Sequence, residues 1–194
     1  MMNSFYSTDE LEKIGFKKVG SNVLISRKAS LYGVSDIIIG NNVRVDDFCI
    51  LSGHIELGDY IHIAAYTALY GGKEGIIISD YANLSSRISV YSISDDYSGL
   101  TMTNPMVPEQ YKNVESAPVL IGKHVIVGSS CVILPGSVLS EGVAVGCMSM
   151  VNKKLESWNI YAGIPCRRIK ERSRDLEKLE KKFNEERAGN EWNN

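Results

Sequence analysis

The chain has 194 residues, of which 23% are charged, and its formal net charge is −2. This length fits one domain with at most a small appendage, and the charge balance excludes a broad basic surface for nucleic acid. No apolar run is long enough to span a membrane, and the polar N-terminus is unlike a signal peptide, so we expect a cytoplasmic protein.

The first predicted element is a short helix within residues 1–18. Ser7 and Glu10 have the spacing of a capping box, Leu11 and Ile14 supply an apolar side, and Gly15 is a stop signal. We expect this helical cap to cover the open end of the repetitive region that follows.

From residue 19 onward an aliphatic residue recurs at every sixth position, interrupted only by short insertions and one long one. These eighteen positions are Val19, Ile25, Leu31, Ile39, Val45, Leu51, Leu57, Ile63, Leu69, Ile78, Leu84, Val90, Ile121, Val127, Ile133, Leu139, Val145 and Val151. We call them the six-residue repeat positions. A short repeat with a fixed period indicates a solenoid, in which each turn buries its apolar side against the next turn.

Three repeat positions make one turn of 18 residues, so the predicted fold is a mainly β, parallel β-helix of about six triangular coils over residues 19–166. The alternative is a β-sandwich. Its strands would alternate with period two and its turn signals would come every 8–12 residues or so, which this regular run does not match.

Insertions mark where segments leave the coil. Extra residues at 32–38 and 70–77 predict small bulges, and the stretch from Tyr70 to Lys73 is typical of a loop. Residues 91–120 form the largest interruption, which is rich in turn residues, prolines and tyrosines. We expect an ordered protruding loop there, and long loops on a rigid scaffold usually carry function.

The last predicted element is a C-terminal helix and tail, residues 167–194. Ile169, Leu176, Leu179 and Phe183 recur on one side of a helix, and Gly189 is a stop signal. We expect the tail after residue 187 to fray.

The cysteines and histidines do not indicate a metal site. Four cysteines lack CxxC spacing, and we expect all four to be small buried thiols in a reducing compartment; they are Cys49, Cys131, Cys147 and Cys166. The three histidines are far apart in the sequence, so we predict no metal.

Two stretches carry a resemblance to the hexapeptide-repeat acyltransferases. Residues 121–136 (IGKHVIVGSSCVILPG) resemble the penultimate coil of that family, and residues 161–170 (YAGIPCRRIK) resemble its closing segment. The resemblance covers roughly residues 19–170 and implies a left-handed β-helix. The repeat alone would also fit carbonic anhydrases of this fold, nucleotidyltransferase tails and acyltransferases of lipid A precursors. The closing segment and the long loop are most similar to sugar O- and N-acetyltransferases, such as galactoside acetyltransferase and enzymes of surface-polysaccharide assembly.

The resemblance implies a homotrimer with acetyl-CoA, the donor substrate, in the groove between two prisms. The residues that match donor-binding positions are Ser129, Cys147, Asn152, Ala162, Gly163, Arg167 and Lys170. The first five would lie along the pantetheine arm, where backbone and small side chains leave room. The two cations match positions that meet the CoA phosphates, for which charged donors are suited.

The long loop departs from the resemblance at its proposed catalytic base. Acyl transfer to a hydroxyl needs a base, and Asp95 stands where the family usually has a histidine. An exposed carboxylate is a weak base unless burial or its neighbour Asp96 raises its pKa. The alternative is that this stretch is a turn with an Asx cap. We expect Asp96 and Tyr97 to contact the acceptor sugar.

A second catalytic candidate is His62, which precedes the repeat position Ile63. Asn83, Arg44 and Ile126 occupy equivalent positions on other turns, so the four side chains should form one outward column that holds an acceptor or a base, or is simply a polar surface ladder. His54 and His124 lie at other outward positions, where we expect exposure to solvent, and the sequence names no partner for His124.

These observations predict an acetyl-CoA-dependent transferase that acetylates a hydroxyl or amino group of a sugar or nucleotide-sugar, in surface-polysaccharide or O-antigen synthesis. O-transfer is slightly favoured. Amino-sugar N-transfer is the alternative, and the missing histidine favours it because a neutral amine attacks a thioester without a strong base. A second alternative is a catalytically silent solenoid scaffold.

Overall fold

The computed structural model describes residues 4–191, with side chains described up to residue 188. Within that range the chain is mainly β, with two α-helices, α1 (Thr8–Ile14) and α2 (Asp175–Glu191). The strands are, in chain order, β1 (Lys18–Val19), β2 (Leu24–Ile25), β3 (Ser30–Tyr32), β4 (Ile37–Ile39), β5 (Arg44–Val45), β6 (Ile50–Leu57), β7 (His62–Ile63), β8 (Ala68–Ile78), β9 (Asn83–Leu84), β10 (Ser89–Tyr91), β11 (Ile93–Ser94), β12 (Glu115–Ser116), β13 (Val119–Ile121), β14 (Ile126–Val127), β15 (Val132–Ile133), β16 (Val138–Leu139), β17 (Ala144–Val145), β18 (Met150–Val151), β19 (Lys154–Leu155), β20 (Asn159–Ala162) and β21 (Arg167–Glu171).

The strands stack in parallel on three faces of a prism. The first face carries β2, β5, β7, β9, β14, β17 and β20. The second face carries β3, the first half of β6, the first half of β8, then β10, β15 and β18. The third face carries β1, β4, the second halves of β6 and β8, then β13, β16 and β19. The parallel β-helix is therefore confirmed, with about seven turns where six were predicted, because residues 154–162 add one more.

The six-residue repeat positions form the core. All of them except Val19 and Leu31, which lie in the first turn, are at most 4% exposed. A second buried row lies two residues before the repeat positions and includes Ile37, Val43 and Ile61. Burying each such aliphatic side chain contributes about 1.5–3 kcal/mol. The stacked turns are thus held by one continuous apolar interior.

Three corners join the faces, and we number them by the faces they follow. The first corner joins the first face to the second, the second corner joins the second to the third, and the third corner returns to the first face. Left-handed residues other than glycine occupy the first corner at Phe48, Tyr66, Arg87, Ser130 and Met148, and the third corner at Asn22, Asn42, Tyr60, Tyr81, His124 and Trp158. Each is the third residue after an aliphatic residue, which is buried in every case except Val19, the half-buried residue before Asn22. Equivalent side chains therefore stack into ladders along these two corners.

The second corner carries the long loop. β11 pairs antiparallel with β12 and closes residues 95–114 into one excursion. The prediction of a smaller loop from Tyr70 to Lys73 is wrong, because these residues lie within β8, where Tyr70 and Gly72 pair with β6 across a bulge. Gly72 has φ 51°, and a Cβ there would overlap Ile93 Cγ2, so any larger residue would strain this bend.

The N-terminal helix has the predicted capping box. Ser7 Oγ accepts from the Glu10 backbone N–H at 3.3 Å, and the Ser7 N–H donates to Glu10 Oε2 at 2.8 Å. Gly15 ends the helix in the left-handed conformation. Leu11 is buried in the core, with Ile14 packed against it, so α1 covers apolar residues at this end of the prism.

The C-terminal helix is shorter at its start than predicted. Arg167–Glu171 form β21, which pairs antiparallel with β20, and α2 begins only at Asp175. The edge of β20 offers backbone groups that a strand can satisfy, and this outweighs the weak helical periodicity of Ile169. The helix also continues past Gly189 to Glu191. Residues 192–194 of the predicted tail lie outside the described residues.

Candidate active site

The residues matched to the pantetheine arm lie mostly on the first corner. Ser129 follows β14, and Cys147 follows β17 on the next turn. Ala162 ends β20 one turn further on, and Gly163 follows it. The Met148 N–H donates to Ser129 O at 2.9 Å, and the Met150 N–H donates to Gly163 O at 3.0 Å. This column of small side chains and backbone can receive a thin, amide-bearing chain.

One cysteine differs from the expectation that all four are buried. Cys49, Cys131 and Cys166 are buried, whereas Cys147 is exposed on the first corner. Burial raises the pKa of the Cys49 thiol to about 11 and also raises those of Cys131 and Cys166. Cys147 is therefore the accessible thiol of the four.

The remaining donor candidates divide between two places. Arg167 pairs with Ala162 and Lys170 pairs with Ile160 in the β20–β21 ladder, so both cations lie at the closing end of the first face. Both are exposed, and no ion pair of either is found among the described side chains. Asn152 is exposed on the second corner, after β18, so this chain does not bring it to Ser129 and Cys147.

The two aspartates of the long loop differ in their hydrogen bonds. Asp96 Oδ1 accepts from the Ser98 N–H at 2.7 Å, and Asp96 Oδ2 accepts from Thr101 Oγ1 at 2.8 Å. The bonds from Ser98 and Thr101 lower the pKa of Asp96 to about 2. Asp96 is thus an ionised Asx cap engaged by its own loop. Asp95 is exposed, and within the described residues its carboxylate has no hydrogen bond. Tyr97 is 94% exposed.

The predicted column on the first face is present. Arg44 pairs with His62, His62 with Asn83, and Asn83 with Ile126. His62 Nε2 lies 2.8 Å from Asp46 Oδ2, and its Nδ1 lies 3.2 Å from Asn83 Oδ1.

Asp46 is a partner of His62 that sequence reasoning missed. Burial raises its pKa, but hydrogen bonds from His62 and Arg44 outweigh burial and hold the pKa below its usual value. An ionised Asp46 orients the imidazole, so this cluster is able to hold a ligand or move a proton.

His124 is buried, contrary to the expectation that it is exposed. It is 8% exposed, its ring stacks on Tyr81 at 5.1 Å, and its Nε2 lies 2.8 Å from Glu180 Oε2 of α2. Phe183 of the same helix packs edge-on against Tyr60 at 5.3 Å. The third corner is therefore the seat of α2, and His124 belongs to that packing.

The catalytic and donor candidates of one chain lie on different corners. Asp95 belongs to the second corner, whereas Ser129 and Cys147 belong to the first. The second face separates these corners, and His62 lies on the first face. Among the described side chains of one chain, no hydrogen bond or ion pair links Asp95 to Ser129 or Cys147.

The described residues hold neither a metal cluster nor a membrane-spanning helix. No group of three His, Cys, Asp or Glu side chains in residues 4–188 is arranged to bind a metal ion. None of the helices in the described part of the chain is long and apolar enough to cross a bilayer.

Sequence reasoning also missed the outward residues of the first corner, Phe48, Tyr66 and Arg87. The signal that finds them is their position three residues after Val45, Ile63 and Leu84. His124, three residues after Ile121, has the same spacing, so one rule would have placed all four on corners.

Comparison with known proteins defines the class of this chain. No family model matches it. It is 51% identical over 177 residues to a dTDP-4-amino-4,6-dideoxy-D-glucose acyltransferase of Escherichia coli, covering 90% of this chain and 92% of that protein. It is 28% identical over 146 residues to WbbJ, a putative lipopolysaccharide biosynthesis O-acetyl transferase of Escherichia coli K12, covering 73% and 72%.

The structure matches that of AntD, an N-acyltransferase from Bacillus cereus, in complex with dTDP and 3-hydroxybutyryl-CoA. The TM-score is 0.94 and the identity 56%, covering 96% of this chain and all of AntD. The predicted family and its acyl-CoA donor are thereby confirmed. The chain belongs to the hexapeptide-repeat acyltransferases and is an acyl-CoA-dependent sugar acyltransferase.

Proposed function

We propose that the protein transfers an acyl group from acyl-CoA to the amino group of a dTDP-linked 4-amino-4,6-dideoxyhexose. The observation that carries this proposal is the 51% identity, over nine-tenths of both chains, to an acyltransferase of dTDP-4-amino-4,6-dideoxy-D-glucose. AntD, which is 56% identical, is an N-acyltransferase. These relatives favour N-transfer over the O-transfer that the sequence analysis slightly preferred, although WbbJ, an O-acetyl transferase by name, is a more distant relative.

The exposed carboxylate of Asp95 suits an amine acceptor. The neutral amine attacks the thioester carbonyl, a tetrahedral intermediate forms, and the C–S bond breaks to release CoA thiolate. The nitrogen then loses one proton, which an ionised carboxylate is able to accept late in the reaction. We assign this role to Asp95, because Asp96 is already held by Ser98 and Thr101.

Structures of AntD variants support a role of the long loop in the reaction. They include substitutions of one aspartate and of one serine ten positions before it, with dTDP, dTDP-4-amino-4,6-dideoxyglucose and Coenzyme A among the bound ligands. Two such pairs in this chain have their aspartate in the long loop, Ser85 with Asp95 and Ser86 with Asp96. Both serines lie on the first corner, one turn before Ser129, because the Ser130 N–H donates to Ser86 O at 3.0 Å.

We propose that acyl-CoA lies along the first corner at Ser129, Cys147, Ala162 and Gly163, with Arg167 nearest to its phosphates. Arg167 is preferred over Lys170 because it pairs with Ala162, at the end of the corner. Asn152 would take part only if it were supplied by a neighbouring copy.

We also propose that the enzyme is a homotrimer with its active sites between copies. The separation of Asp95 from the first corner supports this, since a neighbouring copy could bring the two together. The loop also exposes large apolar side chains: Leu100 is 87% and Met106 is 89% exposed. Clustered exposed apolar side chains indicate a protein interface.

We also propose the cellular compartment and the pathway in which the enzyme acts. The three buried free thiols suit a reducing compartment, so we assign the enzyme to the cytoplasm. The likeness to WbbJ supports a role in building surface polysaccharide such as O-antigen.

Initial rates of CoA release test the proposal. The acceptors are dTDP-4-amino-4,6-dideoxyglucose, the same compound with a hydroxyl at C4, and a plain galactoside, each with acetyl-CoA and 3-hydroxybutyryl-CoA. We expect at least a hundredfold preference for the amine. Preference for the hydroxyl compound would favour O-transfer, and thermal stabilisation by acyl-CoA without turnover of any acceptor would favour a scaffold.

A further inference from the structure

The first corner carries an aromatic and cationic ladder outside the proposed donor site. Phe48 and Tyr66 stack at 4.9 Å between ring centroids, with an interplanar angle of 24°. Lys28 Nζ lies 5.3 Å from the Phe48 ring, and the Arg87 guanidinium lies 5.6 Å from the Tyr66 ring. We call these four residues, one from each of the first four turns, the first-corner ladder.

The equivalent ladder on the third corner is covered, whereas this one is not. Tyr60 and Tyr81 pack beneath Phe183 of α2. By contrast, Phe48 is 47% and Tyr66 is 53% exposed, and no described element of the chain packs over them. Large aromatic side chains contribute most when they contact an apolar or aromatic partner. The first-corner ladder therefore offers aromatic surface that this chain leaves open.

The charges around the ladder favour an anion at its Arg87 end. Lys28 is neutralised by Asp47 at 2.8 Å, and Asp46 by Arg44 at 2.7 Å. Arg87 is exposed, and its side chain forms no ion pair within the described residues. A planar guanidinium recognises phosphate through paired N–H donors, and exposed aromatic rings bind nucleobases by packing against them.

We propose that the first-corner ladder is the binding site for the nucleoside diphosphate of the acceptor, with Arg87 on the diphosphate and Tyr66 and Phe48 on the base. The inference rests on the proposed function. Its second support is order along one corner: the donor candidates occupy turns five to seven, and the ladder occupies turns one to four. The acceptor sugar then lies beside Ser85 and Ser86, next to the thioester.

The spacing of the turns agrees with this order. Neighbouring turns are separated by one strand spacing, roughly 4.8 Å, so Phe48 lies about 10 Å from Arg87 along the corner. This leaves room for a ribose between a base at Tyr66 and Phe48 and a diphosphate at Arg87. Donor and acceptor therefore meet end to end, with their reactive groups near the fourth and fifth turns.

Calorimetric binding of dTDP to the full-length protein tests the site. The variants are Tyr66→Asn, which removes the ring but suits the left-handed backbone, and Arg87→Gln, which removes the charge. We expect each to weaken dTDP binding at least tenfold and to raise the KM for the nucleotide-sugar, while the KM for acyl-CoA stays within twofold. Tyr32→Asn, at a comparably exposed tyrosine (58%) away from the ladder, and Lys17→Gln should change neither.

The outcomes separate the two proposals. Wild-type dTDP binding that persists unchanged in both ladder variants would overturn the ladder and leave the proposed function standing. Wild-type protein that binds acyl-CoA but not dTDP would overturn both. A change of native mass in Tyr66→Asn without a change in dTDP affinity would assign the ladder to contacts between copies and would also overturn the inference.

Discussion

The substitution Asp95→Asn tests the role of the Asp95 carboxylate in the reaction without disturbing the fold of the long loop. The Asp95 carboxylate is exposed and has no hydrogen bond within the described residues, so its replacement should alter the free energy of unfolding by no more than about 0.5 kcal/mol. Any loss of turnover then reports on the reaction rather than on folding.

The expected loss of kcat follows from the kind of proton transfer. General-base catalysis typically raises the rate about 10²–10⁴-fold. For an amine that loses its proton late, we expect a contribution at the lower end of this range. We therefore expect kcat to fall about ten- to hundredfold, which corresponds to about 1.4–2.7 kcal/mol of transition-state stabilisation. The KM for acyl-CoA should not change, because the donor candidates lie on another corner.

Asp96→Asn is the matched control. An asparagine oxygen is still able to accept from the Ser98 N–H, so the Asx turn should survive, and we expect kcat within threefold of wild type. The assay is steady-state release of CoA thiol with dTDP-4-amino-4,6-dideoxyglucose. Full turnover in Asp95→Asn, or an equal loss in both variants, would refute the assignment of Asp95 as proton acceptor.

Three further predictions concern the first face, the first corner and the third corner. His62→Asn should leave kcat within threefold, because Asp95 rather than the Asp46–His62 pair takes the proton; the pH–rate profile is the measurement. Cys147 should be the one rapidly alkylated cysteine in the native protein, and saturating acetyl-CoA should slow its alkylation at least tenfold. Glu180→Gln should lower Tm by about 2–4 °C at pH 7, since losing a charged hydrogen-bond partner of α2 costs about 1 kcal/mol or more.

Each has its own contrary result. A tenfold fall of kcat in His62→Asn would transfer the proton-accepting role to that pair. Alkylation of Cys147 at the same rate with and without acetyl-CoA would contradict the placement of the donor on the first corner. As a control, Cys147→Ser should abolish the fast alkylation.

Glu180 also predicts a dependence on pH. Burial raises its pKa, but hydrogen bonds from Lys123 and His124 outweigh burial and leave the pKa below its usual value. Its contribution is therefore present above the unfolded pKa and is lost as the pH falls through the folded one. The Tm difference between wild type and Glu180→Gln should narrow as the pH falls below the unfolded pKa of glutamate, about 4.3; a difference that stays constant as the solution is acidified would contradict this account.

The β-helix could be predicted because one simple rule governs its interior. A residue such as Ile63 or Val127 is buried whichever neighbours surround it, so its spacing alone identifies the turn. The start of α2 could not be predicted in the same way. Ile169 has helical spacing, yet Arg167–Glu171 complete the edge of β20, and that edge is a feature of the folded chain rather than of local sequence.

The site was predictable where it depends on backbone position and not where it depends on partners. Ser129 and Cys147 lie on one corner because they occupy equivalent points of successive turns. Asp46 beside His62, and Glu180 beside His124, are brought together across 16 and 56 residues, respectively. Such pairs follow from the stacking of turns and the docking of α2. A rule for the spacing of single residues does not predict which side chains these contacts bring together.

The bond formed in the product tests the account most directly. The purified enzyme would be incubated with acyl-CoA and dTDP-4-amino-4,6-dideoxyglucose, and the acylated product analysed by mass spectrometry before and after brief treatment with alkaline hydroxylamine. An acyl group on nitrogen survives this treatment, and that is the result we predict. An acylated product that hydroxylamine deacylates would be an ester, and it would contradict transfer to the sugar amine.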